Sequence, residues 1–388
     1  MVAEPARRAA GLYQFLPARL SHLARQATVV HRGKELRSAF IIDLAHGLLL
    51  RRHLTGREVL PVSSQLLKSA YGREYASYLG YLVDAGMVRL ESDYFAGVRC
   101  RMYRLDRRFL DEPTTRHVNN DPRLVRRAAE RRHDLNPRNG INQILKLKLV
   151  ANLRRARVDH VAALDYLSRV VDDESRRWNA YPVESVRDGH LFWHFDDYGR
   201  FHSNFTIMKG HVRRNHLTID GEPVIEVDIP NSQPLFLARL MAAEGPLDQE
   251  RRQFAEAALS GRLYRDISAG MGGTRDQVKK AVYRVLFGQN RQDAANRAFR
   301  KSFPSVHDFV VEYKARRGDY RSLAYDLQRA ESDFVYNSVL LAATAERGDL
   351  GFLTVHDSVM VRRSDGAFLR ALFDRCLAEA FGGIGFNI

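Results

Sequence analysis

Polar and apolar residues alternate from Val224 to Ile229, which places Glu226 and Asp228 on one face of a predicted strand and Ile225, Val227 and Ile229 on the other. Pro230 ends the strand, since proline has no N–H to give to a ladder. Two further apolar runs within Phe352 to Val361 flank His356-Asp357-Ser358 and predict a hairpin that holds a carboxylate at its tip. Between them lies a predicted helix opened by Thr274, with Gln277 placed for a capping box, and closed by Gly288. Arg275, Lys279, Tyr283 and Phe287 recur every four residues along it, and at about 3.6 residues per turn they form one slanted stripe. Two cations followed by two aromatics are not a core face. In the first half, the pattern predicts helices over Ser63 to Ala70 and Arg73 to Ala85, then strands around Met87 to Glu91 and Val98 to Leu105 that turn near Gly97. From Asp111 to Gly140 the chain is rich in Asp, Asn, Pro and Arg turn signals. Beyond it, Ile141, Ile144, Leu145, Leu149 and Leu153, then Ala162, Tyr166 and Val170, return to helical spacing around the Arg154, Arg155 and Arg157 cluster.

The order of two helices and a hairpin resembles a winged helix, a module that binds DNA or protein. The domains expected are a helical and winged-helix-like module over 1–110, a turn-rich linker over 111–140, a basic helical segment over 141–195 and a core over 196–388. Charge sharpens this division. Of the formal +15, residues 1–190 hold 34 basic against 21 acidic side chains, a net +13, while 191–388 hold 27 against 25, a net +2. A polyanion gripped by the first half is the expected partner. No run approaches the roughly 18 apolar residues of a membrane span, and the first 30 residues lack the apolar core of a secretory signal. Cys100 and Cys376 cannot build a disulfide framework or a four-thiolate zinc site. A reducing, cytoplasmic location without structural metal is expected, nucleoid-associated if the source is bacterial.

Two strand-borne carboxylates, a facing helix with Arg and Lys, and an aromatic pair beyond them form the set that nucleotidyl transfer requires. Two aspartates can hold two Mg²⁺ ions, with Mn²⁺ as a substitute, to activate a 3′-hydroxyl and neutralise a leaving pyrophosphate. The cations would hold a triphosphate and the aromatics stack on a base. Gly270-Met271-Gly272-Gly273-Thr274 has neither a strand before it nor a Gly-Lys-Ser/Thr after it, so it reads as a flexible entry to the helix. His190 and His194 have no third ligand and read as packed histidines.

At these positions the sequence resembles the palm and fingers of family A DNA polymerases and their relatives, the single-subunit phage and mitochondrial RNA polymerases. Asp228 in Val227-Asp228-Ile229 looks like the first metal-binding aspartate. Arg275-x3-Lys279-x3-Tyr283-x3-Phe287-Gly288 is similar to the fingers helix, and Val355-His356-Asp357-Ser358 to the hairpin of the second metal aspartate. Gly199-Arg200 and Gln328-x4-Asp333 are similar to segments that touch the primer-template. The resemblance covers roughly residues 195 to 365 and implies an α+β fold: an antiparallel right-hand palm with helical fingers, preceded by a thumb-like helical segment. It implies Asp228, Asp357 and the Ile229 carbonyl on Mg²⁺, and Asp228, Asp357 and Lys279 in catalysis. Arg275, Lys279, Tyr283 and Phe287 would meet the nucleoside triphosphate, and Arg200, Gln328 and His356 the primer-template.

The departures bear on the sugar. Family A DNA polymerases follow the first aspartate with Ser-Gln and a Glu that closes off the ribose 2′ position. Here Ile229-Pro230-Asn231-Ser232-Gln233-Pro234 offers Ser-Gln two places late and no Glu. Phe287 stands where the gate's Tyr partner would be, and Ser358 where the hairpin Glu would be, as in the RNA polymerase branch. Weak ribose discrimination and no proofreading are expected. Three functions fit: a DNA polymerase, an RNA polymerase or primase, and a non-catalytic DNA-binding replication or plasmid regulator.

Overall fold

The described residues of the computed structural model, 11–95, 100–133, 139–170 and 173–382, combine helices and antiparallel sheets in two units. The first unit takes in the described residues up to 133, those from 158 to 192 and those from 207 to 209. Strand β1 (Leu12–Pro17) pairs with β7 (Thr114–Asn119). Strands β2 (Thr28–His31) and β3 (Lys34–Arg37) form a hairpin, turned at Arg32 and Gly33, both left-handed. Helix α1 (Ser38–Thr55) follows, closed by Gly56 at φ +63°, a conformation glycine adopts without Cβ strain. Then come β4 (Val59–Val62), α2 (Ser64–Tyr71), α3 (Tyr75–Asp84), β5 (Val88–Ser92) and β6 (Arg101–Leu105), with the strands ordered β4-β6-β5. The two predicted helices and the hairpin strands lie within a few residues of their expected positions. The turn at Gly97 and Arg99 lie outside the described residues. Leu36, Ile41, Ala45, Leu60 and Leu82 are fully buried between these elements. The hairpin arginines are internally balanced: Arg101 pairs with Asp93, and Arg104 with Glu58 and Glu91.

The helical spacing on either side of the Arg154–Arg157 cluster forms two helices with a strand between them. Helix α4 (Gln143–Asn152) gives way to the short strand β8 (Ala156–Val158), and a separate helix, His160–Val170, belongs to the first unit with Asp173–Arg187. Between them Arg155 finds its partners far along the chain. The Arg155 guanidinium donates to Asp220 at 2.5 Å and to the Asp349 carbonyl at 2.9 Å.

The second unit takes in the described residues from 139 to 157, 193 to 206 and 210 to 382. Its centre is a five-stranded sheet ordered β13-β14-β12-β11-β8, in which β11 is Leu217–Ile219, β12 Glu222–Asp228, β13 Phe352–Val355 and β14 Ser358–Arg362. β13 and β14 are almost wholly buried, as continuous apolar runs should be. Helix α10 (Gly366–Phe381) begins against β12, where a Cβ at Gly366 would stand 2.0 Å from Ile225. A small hairpin, β9 (Trp193–Phe195) and β10 (Phe201–Ser203), precedes the sheet. The helices that matter to the site are α5 (Ser232–Glu244), α6 (Leu263–Met271), α7 (Arg275–Phe287), α8 (Pro304–Arg317) and α9 (Ser322–Asp333), the last running on into a π-helical turn, Phe334–Leu340. The rings of Phe236, Phe334 and Phe381 lock α5, this turn and α10 together at 5.8–6.3 Å between centroids. No helix among the described residues is long and apolar enough to cross a membrane.

Candidate active site

Strand register brings the two aspartates together. Asp228 is the last residue of β12 and stands opposite Ser358, the first residue of β14. Asp357 immediately precedes Ser358 in the tight β13–β14 turn, so both carboxylates lie at one end of neighbouring strands. The backbone beside each is in the left-handed region although neither residue is glycine: His356 has φ +57° and Asn231 φ +50°. Such strain persists only where the surroundings over-determine it. Burial pushes the Asp357 carboxyl up to about 7, and the charges of Glu331 and Asp228 add to the effect. His356 is pushed down to about 4 by burial, with Arg200 and His202 adding, so its ring is neutral at pH 7. Its Nδ1 is buried and has no hydrogen-bond partner among the described residues. The next polar position back along β12, Glu226, accepts a bond from the Ser358 hydroxyl at 2.7 Å.

The stripe on α7 forms as its spacing predicts. Thr274 and Gln277 make both bonds of the capping box. Arg275 and Lys279 are exposed and Tyr283 and Phe287 half-buried. The Lys279 ammonium lies 5.7 Å from the Tyr283 ring centre, Arg275 lies 5.6 Å from that of Tyr264 on α6, and Tyr283 meets Phe287 edge-on at 5.1 Å. The Tyr283 phenol is pushed up to about 12, first by burial and then by Asp357 and Glu331, which places it in the field of the carboxylates. Neither Arg275 nor Lys279 pairs with a carboxylate among the described residues, so both charges stay available. The far end of α7 is held by Lys314 of α8, a buried ammonium that donates to the carbonyls of Val285 at 2.6 Å and Gly288 at 2.8 Å.

Arg200 is fixed by the β9–β10 turn. The Asp196 carboxylate accepts from the backbone N–H groups of Tyr198 and Arg200 and from His202. Gly199 adopts φ +86°, and a Cβ there would lie 3.1 Å from Ser332 of α9, so glycine lets the turn settle against that helix. The approach sets Arg200 beside Glu331, whose Oε1 accepts from the guanidinium at 2.5 Å. The other Glu331 oxygen accepts from Ser232 and Gln233 at the start of α5. The Ser-Gln pair, which no Glu follows in sequence, thus meets a carboxylate from α9. Glu331 was missed in the sequence. The signal that could have found it is its place on the stripe Leu323, Leu327, Glu331, Val335, where the other three are apolar and all four are buried. Gln328 lies one turn earlier on α9 and is half-buried. Ile229 is buried beside Asp228.

The donor set suits a hard cation. Asp228, Asp357 and the Ile229 carbonyl are oxygen donors, and Mg²⁺ commonly takes one or two carboxylates and completes its shell with water and substrate phosphates. No group of three or more His, Cys, Asp or Glu side chains that could hold a metal by itself occurs among the described residues.

No family model matches the chain. No curated protein matches it. Among solved structures it is similar to the POL domain of Pol1 from M. smegmatis in complex with DNA primer-template and dNTP, at 15% identity and a TM-score of 0.37, over 57% of this chain and 53% of that one. The chain thus spans about half the length of that domain.

Proposed function

We propose that the chain performs template-directed nucleotidyl transfer, with Asp228 and Asp357 as the catalytic carboxylates of a right-hand polymerase core over 196–388. The observation that carries this reading is the pairing of β12 with β14, which sets two carboxylates side by side within the field of Tyr283 on a helix bearing Arg275 and Lys279. Mg²⁺ bound by Asp228, Asp357 and the Ile229 carbonyl would lower the pKa of the attacking hydroxyl and stabilise charge on the leaving group. The unpaired Arg275 and Lys279 bind triphosphate oxygens. Tyr283 and Phe287, already in edge contact, offer an apolar wall to the base. Arg200, Gln328 and His356 meet the primer-template, and the buried Nε of Arg200 has no hydrogen-bond partner among the described residues. In the first unit, the order α1-β4-α2-α3-β5-β6 supports a winged-helix-like module that helps hold nucleic acid.

Phe287 brings no hydroxyl to the sugar, and the Ser358 hydroxyl is occupied by Glu226. These two observations favour a second reading, in which ribonucleotides are accepted and the enzyme acts as an RNA polymerase or primase. One assay addresses both: full-length protein with Mg²⁺ on primed and unprimed DNA, with deoxy- or ribonucleotides. Primer extension is expected, with ribonucleotides within about one to two orders of magnitude of deoxynucleotides. Asp228→Asn and Asp357→Asn should each reduce extension by about a thousandfold or more while DNA affinity changes by less than about threefold. Activity retained in either variant overturns the assignment. DNA binding without any extension would favour a non-catalytic replication regulator.

A further inference from the structure

Three carboxylates and one guanidinium converge in the second unit: Asp228, Asp357, Glu331 and Arg200. Glu331 is only 2% exposed, and its donors come from two distant parts of the chain: Arg200 from the β9–β10 turn, and Ser232 and Gln233 from the first turn of α5, four and five residues beyond Asp228. A buried charge is costly unless it is paired and fully hydrogen-bonded, and this one is both. Arg200 is itself 18% exposed and cannot shed its proton, so without Glu331 it would leave a fixed positive charge facing the aspartates.

Resting on the two-carboxylate reading above, we propose that Glu331 is a positioning residue of this site: it orients Arg200 and the Ser232-Gln233 turn, and it cancels the Arg200 charge so that Asp228 and Asp357 present a net charge of two to a divalent cation. With Glu331 in place, the Arg200 charge does not repel the metal. The electrostatic reach of Glu331 extends to Asp357, Tyr283 and His356, which are the groups that would line the occupied site.

The test is Mn²⁺ binding to the full chain without nucleotide or DNA, read by calorimetry or by loss of the free-ion electron paramagnetic signal at about pH 8, where carboxylates are ionised. Glu331→Gln is expected to weaken Mn²⁺ binding roughly tenfold, because a unit charge is lost near the ion in a medium of intermediate dielectric. Glu331→Asp keeps the charge and should stay within about threefold of wild type. The double variant Arg200→Gln/Glu331→Gln replaces a neutral ion pair with a neutral amide pair and should recover binding to within about threefold. A purely structural role predicts the reverse: damage in Glu331→Asp and no rescue in the double variant. Unchanged binding in Glu331→Gln, or failure of the double variant to recover, overturns the inference. If Glu331→Gln does not fold, the comparison of the double variant and Glu331→Asp with wild type decides. Wild-type protein that binds no Mn²⁺ overturns the two-carboxylate reading and this inference together, whereas wild-type binding with an indifferent Glu331→Gln overturns this inference alone.

Discussion

Asp357 is placed where its charged form is opposed by burial and by two other acids. Its folded carboxyl keeps a proton up to about 7, while the unfolded chain releases it near the ordinary aspartate value of 3.8. Across that window the folded state binds more protons, so its stability falls as pH rises and is fully restored below the unfolded value. Asp357→Asn should therefore stabilise the metal-free protein by about 2–4 kcal/mol at pH 8 and leave it nearly unchanged at pH 4, even as it removes activity. Calorimetric melting of both proteins in chelator at the two pH values checks this, and a destabilised variant at pH 8 would show that the carboxylate is better compensated than its surroundings imply. A carboxyl whose charged form weakens the fold points to function rather than packing.

At the scale of elements, α7 is useful only if its stripe stays aimed, and its far end depends on one side chain. Lys314→Met leaves the Val285 and Gly288 carbonyls without their ammonium donor, a loss of about 1–3 kcal/mol. The expected outcome is a lower melting temperature and a raised KM for nucleotide with a smaller change in kcat, because binding groups shift while the aspartates do not; an unchanged KM would detach Lys314 from the site. Elements governed by local pattern were legible in the sequence. The alternation of β12, the paired apolar runs of β13 and β14 and the Thr274–Gln277 cap each follow from a period or a spacing, and the candidate residues upon them take their positions from the same pattern. What escaped notice depends on partners distant in sequence. The partners of Arg155, Asp220 and Asp349, lie far along the chain, and Lys314 and Glu331 read as ordinary helix charges until α7, α5 and the β9–β10 turn are packed around them. Glu331 alone left a local trace, as a charge on an apolar stripe.

Across the whole molecule, the +13 of the first 190 residues is what remains once its 21 acids are set against its 34 bases. The pairs Arg32–Asp84, Arg37–Asp121, Arg104–Glu91 and Arg108–Asp106 are already counted in that net figure. The surplus that remains should still bind nucleic acid by counterion release. The logarithm of the DNA association constant of the full chain is expected to fall against the logarithm of salt with a slope of about −4 or steeper, at about −0.9 for each phosphate neutralised. Fluorescence anisotropy over a salt series measures it, and a slope shallower than about −2 would mean that the excess charge serves only to keep the protein dispersed.

The placement of β14 between β12 and β13 also dictates when the site can exist. Asp228 and Asp357 are 129 positions apart, and the second joins the first only once β13 and β14 have been made and paired with β12. Closing so long a loop comes late in folding, because its entropy must be spent before the strand contacts return anything. A nascent chain, or one clipped before Phe352, would already carry the basic first unit and the α7 stripe but only one of the two carboxylates. On the proposed function such a fragment would occupy nucleic acid without extending it, and would compete with the intact protein for template.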